Sequence, residues 1–467
     1  MGMRLQPEIA PEVTDLSPAW RRRLLVVIAA GAGLVHGGLW WLYYQPVTKL
    51  LWGDERWYRE AALQVLAGDS SWRLDGLWPP LYPFLQAGIM AVTGRGVLGV
   101  QVVQSLLLLV LAWVVGDLTR RLSGSDLAAL TAAGLTVAFP PLAAFSHYLW
   151  PELVHLFLFQ CALWALVVRG ESRGWNLVSG VALGLCLLTK SLLSPFVPVL
   201  LVAVALRGQR NQPLLPRRGV IAAATVALGL ACTIGPVMAV QAARSGSPVI
   251  ADSSAFNFWV GLRDRSRQNH VDPVEVQAYK DFMRSGTNLE YRNRVTRMRI
   301  RRHFREHALV DVLAGQLGKQ YFRLFDKGSF LTDQLWGGAA VAQHEGYVGA
   351  GRRTSAVVRG VCYSGHALIL GLAPFGWLCW RYRQPRWMRV LLVFVAYNLA
   401  LFFWLHVKTR YQVQMLPVFF VGCGCTLEWL RLRVRGVVPT IPPLAARVSA
   451  LVLALLLELL AFAGPLL

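Results

Sequence analysis

Eleven separate runs of apolar residues constrain this chain more than any motif does. They lie near 24–44, 97–119, 126–145, 149–168, 175–189, 191–206, 218–241, 357–380, 388–406, 411–430 and 444–463. A helix rises about 1.5 Å per residue, so about 20 apolar residues cross the roughly 30 Å hydrocarbon core of a bilayer. The chain therefore reads as an all-α polytopic membrane protein. Its 467 residues are 55% hydrophobic and only 15% charged, where a soluble domain carries about 25% charge. The first run follows Arg21-Arg22-Arg23, is too long for a removable signal peptide and has no small-residue cleavage site behind it.

The remaining charge is lopsided: 47 Lys+Arg against 25 Asp+Glu, a formal +22, with 41 of the basic residues Arg. In a chain this apolar, membrane topology explains basic charge before nucleic acid does. With the N-terminus cytoplasmic, short inside loops hold Arg120-Arg121, then Arg169 and Arg173, then Arg207, Arg210, Arg217 and Arg218. Further on they hold Arg381, Arg383, Arg386 and Arg389, then Arg431, Arg433 and Arg435. The outside connection near 146–148 holds none, and that near 407–410 only Lys408 and Arg410. This parity requires Pro79–Gly94, which opens Pro-Pro-Leu-Tyr-Pro, to lie along the outer face without crossing. Of seven cysteines, Cys161, Cys186, Cys232, Cys379, Cys423 and Cys425 sit in apolar runs and Cys362 near a loop, so no disulfide framework or metal pair is expected.

Three parts follow: a transmembrane module over 1–243 with a first outer loop at 45–96, a long outer loop over 244–356, and a tail over 357–467. Without another extramembrane domain, chemistry belongs at the outer mouth or within the bundle.

Polar residues in unexpected places mark candidates. Asp54 and Glu55 open an amphipathic segment, Gly53-Asp54-Glu55-Arg56-Trp57-Tyr58, where they serve either as first-turn acids or as a site. Trp150-Pro151-Glu152 begins a span, with His147 and His155 nearby, and Thr189-Lys190 sits between two spans. Such charges are expensive at membrane depth unless they pair or face a wet cavity. The run from Tyr291 to Arg305 interleaves arginines with Val295, Met298 and Phe304 at near-helical spacing. That suits headgroup anchoring or, alternatively, a phosphate cradle that includes Arg301. His303-Phe304-Arg305-Glu306-His307 has an H-x-x-E-H spacing, yet neighbouring arginines disfavour a divalent cation. Gly94-Arg95-Gly96-Val97-Leu98-Gly99 lacks the strand that dinucleotide binding needs.

Taken in order, Asp54-Glu55, Pro79-Pro80-Leu81-Tyr82-Pro83, Leu187-Leu188-Thr189-Lys190, Asn257-Phe258-Trp259-Val260-Gly261, Lys408-Thr409-Arg410-Tyr411 and Leu416-Pro417 resemble the GT-C superfamily of integral-membrane glycosyltransferases. The likeness is to its protein O-mannosyltransferase and aminoarabinose-transferase branch. It implies a seven-helix module with juxtamembrane helices in the first outer loop, followed here by a four-helix tail. It also implies a polyprenyl-phosphate sugar donor at the outer leaflet and inversion at the anomeric carbon. Aminoarabinose transferases carry an acid and a Lys before the paired prolines, where this chain has Leu77 and Trp78.

The resemblance puts Asp54 on the acidic motif as general base, with Glu55 beside it. Arg56, Lys408, Arg410 and Arg301 are the expected lipid-phosphate ligands, and Tyr58, Glu152, Lys190, Asn257 and Tyr82 the expected sugar or acceptor pocket. Hydrolysing a glycoside takes two carboxylates. A phosphate leaving group is already a stable anion, so one base and positive charge suffice. The acceptor would be a hydroxyl or amine on a lipid, an envelope glycan or a protein. No cofactor is demanded, although some enzymes of the superfamily use a divalent metal. The expected location is the cell inner or plasma membrane, with the site outside. A lipid-linked-glycan flippase and an oligosaccharide ligase are the alternatives.

Overall fold

The structure, a computed structural model, describes residues 15–44, 51, 53–69, 77–206, 216–245, 248–264, 273–285, 289–338, 350–437 and 442–464. Arg207 and Arg210 lie outside these. Among the described residues the fold is 82% helix with no strands. The membrane part comprises α1 (Pro18–Tyr44), α2 (Asp54–Leu66), α3 (Leu81–Thr93), α4 (Leu98–Ser123), α5 (Asp126–Ala138), α6 (Glu152–Arg169), α7 (Arg173–Thr189), α8 (Val197–Ala205) and α9 (Arg217–Ser245). A connecting region holds α10 (Ser254–Arg263), α11 (Pro273–Arg284), α12 (Leu289–Glu306), α13 (Leu309–Leu317) and α14 (Gln320–Phe325). Four long helices follow: α15 (Arg352–Cys379), α16 (Pro385–Trp404), α17 (Leu416–Val434) and α18 (Leu444–Phe462).

Each of the eleven apolar runs forms helix, but they are not equal as spans. Among the described residues eight helices are long and apolar enough to cross a membrane, nine if the bent pair Asp126–Ala138 and Pro140–Ser146 counts as one. The other two expected spans are α7, of 17 residues, and a six-residue 3-10 turn leading into the nine-residue α8. Lys190 and Pro195 interrupt the apolar pattern there, so neither segment reaches full length. The segment after Pro79-Pro80 forms α3, whose 13 residues extend about 20 Å, short of a bilayer core.

The faces of α4 show why lipid is its solvent. Leu108 and Leu111 are 0% exposed in the bundle, while Leu106, Leu109 and Trp113 on the opposite face are more than half exposed. A helix apolar all round belongs in a core or a membrane. Helices are held close by small residues: a Cβ on Gly376 of α15 would overlap the carbonyl of Gly422 on α17, the approach that membrane interfaces use in place of a hydrophobic driving force. Gly376→Leu is expected to cost at least about 1–3 kcal/mol by overpacking. Thermal unfolding of the purified protein in detergent checks this, and an unchanged midpoint would mean that α15 and α17 do not pack this way.

Between α5 and α6 the backbone leaves helical geometry, bending 55° at Phe139-Pro140, because a residue before proline is driven towards extended conformation. Irregular backbone at membrane depth must be satisfied by protein. Two glutamines of α4 do this. The Gln101 amide donates to the His147 carbonyl at 2.9 Å, and Gln104 donates to the carbonyls of Ser146 at 3.1 Å and Tyr148 at 2.8 Å. Glu55 of α2 accepts from the Leu149 N–H at 2.8 Å. This corner fixes where Glu152, the first residue of α6, points.

Candidate active site

The corner, α2, α10 and the segment before α17 enclose a cavity of about 600 Å³. Gly53 precedes it with φ 54°, a left-handed conformation that glycine takes without strain. The chain thereby enters α2 with Asp54 as its first residue and on the cavity rim.

Four charges converge. The Arg410 guanidinium lies 2.8 Å from an Asp54 oxygen and 3.5 Å from Glu152 Oε1, and Lys190 Nζ donates to Glu152 Oε1 at 3.0 Å. Arg410 also rests 5.1 Å over the Trp150 ring, and Lys190 lies 5.0 Å over Tyr411, adding cation–π attraction. Glu152 is 4% exposed and Asp54 54%, so the first carboxylate is structural in setting and the second open to incoming molecules. Oε2 of Glu152 is buried with no hydrogen-bond partner among the described residues. An unmet acceptor in such a place is costly, and a hydroxyl or cation arriving in the cavity would satisfy it.

Lys408 also lines the cavity. Among the described residues its charged lining holds two carboxylates, Asp54 and Glu152, and three basic side chains, Lys190, Lys408 and Arg410. Trp57, Tyr58, Trp78, Phe256 and Tyr279 supply an aromatic part of the lining, with Trp57 against both Tyr58 and Trp78. Burial, then the Asp54 and Glu152 carboxylates, push the Tyr58 phenol well above its usual range. It therefore stays neutral, available to donate a hydrogen bond and unsuited to act as a base.

Of the residues expected from sequence, Asp54, Tyr58, Glu152, Lys190, Asn257, Lys408 and Arg410 line this one cavity. Four expected residues do not. Glu55 is 0% exposed and turned towards Leu149, because successive residues on a helix point about 100° apart and only Asp54 has the cavity phase. Tyr82 is buried behind Tyr58, at 5.3 Å between rings, and donates to Gln104 at 2.8 Å. Arg56 turns back to the Leu51 carbonyl at 3.2 Å, and Arg301 is exposed on α12 away from the cavity lining.

The sequence reading missed His406, which lines the cavity and sits 3.4 Å from Asp264. Asp264 also pairs with Arg323, both almost completely buried, while Lys319 donates to the Gly261 carbonyl at 2.8 Å. This knot ties the C-terminal end of α10 to α14, and so holds Asn257 at the cavity. Asp54 and Glu152 are already paired with cations, a poor setting for a divalent metal. Among the described residues no cluster of three or more His, Cys, Asp or Glu is placed to hold one.

The fold has a known counterpart. The chain aligns in structure with the crystal structure of ArnT from Cupriavidus metallidurans bound to undecaprenyl phosphate, at TM-score 0.50 and 15% identity, over 97% of this chain and 72% of that one. The profile of the dolichyl-phosphate-mannose-protein mannosyltransferase family matches residues 78–236. The chain thus shares the fold of the Cupriavidus ArnT, and residues 78–236 resemble the mannosyltransferase family. The oligosaccharyltransferase of Archaeoglobus fulgidus, in complex with Zn and sulfate, aligns at TM-score 0.42 and 14% identity over 94% of this chain and 52% of its own. The apo form of the Cupriavidus ArnT aligns at TM-score 0.39 and 15% identity over 88% and 77%. No curated protein sequence matches the chain. In this fold Asp54 of the first loop, Pro79 of the paired prolines and the basic Lys408 and Arg410 before α17 meet at one cavity.

Proposed function

We propose that the cavity transfers a sugar from a polyprenyl-phosphate donor to a hydroxyl or amine acceptor, with inversion, on the outer face of the membrane. The observation that carries this reading is the half-exposed Asp54 carboxylate beside Arg410 in a cavity that Lys190 and Lys408 also line. Arg410 and Lys408 hold the donor phosphate. Asp54 takes the proton of the acceptor as its oxygen or nitrogen attacks the anomeric carbon. The bond from that carbon to phosphate breaks with its electron pair going to the phosphate, where the cations stabilise the charge that develops. No acid catalyst is needed for such a leaving group. A lipid-phosphate donor is in keeping with the Cupriavidus protein of the same fold, which was crystallised with undecaprenyl phosphate.

Helix polarity supports the outer face. Glu152 opens α6 and Arg169 closes it, 18 residues away, or about 27 Å. Arg173 opens α7 and Lys190 follows its end, while α17 starts just after Arg410 and ends at Arg431 and Arg433. The cavity and these arginine-bearing ends lie at opposite ends of the same helices. Arginine-rich short loops belong to the cytoplasm, which supports the reading that the cavity opens outside.

The test is reconstitution of the purified protein with polyprenyl-phosphate sugars radiolabelled in the sugar, followed by determination of the anomeric configuration of the product. Transfer with inversion is expected. Retention would require a glycosyl-enzyme intermediate and a second displacement, contrary to the single base proposed.

A further inference from the structure

The basic face of α12 is not part of the cavity lining. On α12 the side chains of Arg294, Arg297, Met298, Arg301, Arg302 and Arg305 are exposed. Three of these arginines are tied to acids: Arg294 to Glu290 at 3.1 Å, Arg297 to Asp252 at 3.2 Å and Arg302 to Glu306 at 2.6 Å. Arg301 and Arg305, one turn apart, have no acidic partner among the described residues. Their spacing puts two guanidinium groups on one side of the helix.

The next helix supplies the second, independent observation. On α13, Val310 is 74% exposed and Leu317 55%, and Ala314 between them is exposed too. Positions 310, 314 and 317 form one stripe, so α13 turns an apolar face outward while Val312 and Gln316 are buried. The pair of helices is also fixed in height. Phe304 of α12 lies 6.2 Å from Trp404, the last residue of spanning helix α16, and Phe258 of α10 stacks on the same ring at 5.7 Å. Helix α13 packs against both α14 and α16. A terminal tryptophan of a spanning helix marks the level of the lipid headgroups.

We propose that α12 and α13 form a lipid-docking face that binds anionic headgroups: Val310, Ala314 and Leu317 enter the outer part of the acyl layer, and Arg301 and Arg305 grip headgroup phosphates. Charge complementarity and the apolar stripe at the end of α16 select a lipid surface over a soluble anion, since a free phosphate would use the arginines and leave the stripe in water. Arg301 thereby serves bulk lipid and not the donor phosphate. The face is separate from the cavity, so it stands or falls independently of the transferase reading.

The full chain, purified and delipidated in a neutral detergent, is titrated with phosphatidylglycerol, phosphatidylcholine or inorganic phosphate, and retained lipid is counted by native mass spectrometry. Phosphatidylglycerol is expected to bind in preference to phosphatidylcholine, and Arg301→Gln/Arg305→Gln to weaken it about thirtyfold, the effect of two interfacial basic residues. Arg294→Gln/Arg302→Gln, at positions already neutralised by Glu290 and Glu306, is expected to change it much less. Val310→Ser/Leu317→Ser should weaken phosphatidylglycerol and phosphatidylcholine alike. Unfolding midpoints in lipid-free detergent, expected to be equal for all variants, separate lost binding from lost folding. Equal binding by the first variant and the wild type, equal retention of the two lipids, or inorganic phosphate displacing phosphatidylglycerol at comparable concentration would each overturn the proposal.

Discussion

Replacing Arg410 with Met is expected to slow sugar transfer by about 10²–10³-fold, the usual loss when one preorganised donor to a developing anion is removed. It should also weaken polyprenyl-phosphate binding by about one to two orders of magnitude, since a hydrogen bond to a charged group contributes about 1.5–3 kcal/mol. The fold should survive, because Glu152 keeps its 3.0 Å contact with Lys190 and the Met chain can cover Trp150 and Phe330, over which the guanidinium now lies at 5.1 and 5.8 Å. Arg410→Lys should restore only part of the loss. One guanidinium spans the two carboxylates from separate nitrogens, whereas an ammonium is a point charge without that fork. Thermal-shift titration with polyprenyl phosphate separates these outcomes, and an Arg410→Met protein that binds like the wild type would remove Arg410 from the phosphate site.

Asp54→Asn is expected to reduce transfer by about 10²–10⁴-fold, the range for a lost general base, while donor binding is kept or strengthened. The reason is that Asp54 and an incoming phosphate compete for Arg410. With Asp54 ionised, the guanidinium is engaged at 2.8 Å; with Asn it has only the weaker contact to Glu152 and is freer to turn to phosphate. In the wild type the donor phosphate, by drawing Arg410 away, would release the carboxylate to serve as base. A variant defective in both binding and transfer would instead mean that Asp54 positions Arg410.

How much of this was legible beforehand follows from which physical signals are local. Asp54, Glu152, Lys190 and Arg410 stand out because charge beside apolar runs must have a use. Their convergence is a matter of the fold: Lys190 and Arg410 approach one carboxylate from opposite halves of the chain. Glu55 could not be separated from Asp54, since both open the same helix and only its phase decides that one faces the cavity while the other caps the N–H of Leu149. Tyr82 belongs to the same aromatic group but one layer too deep. Asp264, Lys319, Arg323 and His406 gave no signal, because they look like ordinary loop charges until burial brings them together. Trp57 and Trp78, 6.2 Å apart in the aromatic part of the lining, could have been suspected from the tryptophans clustered around Asp54 and before Pro79. Eleven apolar runs were readable, yet α7 and α8 fall short of full spans where Lys190 and Pro195 break the pattern.

The central claim is that Asp54 removes the acceptor proton in a cavity that holds a lipid phosphate. Single-turnover transfer tests it most directly: wild-type and Asp54→Asn protein are each saturated with a radiolabelled polyprenyl-phosphate sugar, then mixed with acceptor, and product is counted over time. Full donor occupancy with product formation slowed at least about a hundredfold in the variant is the predicted result. Equal rates from equally loaded protein would contradict it.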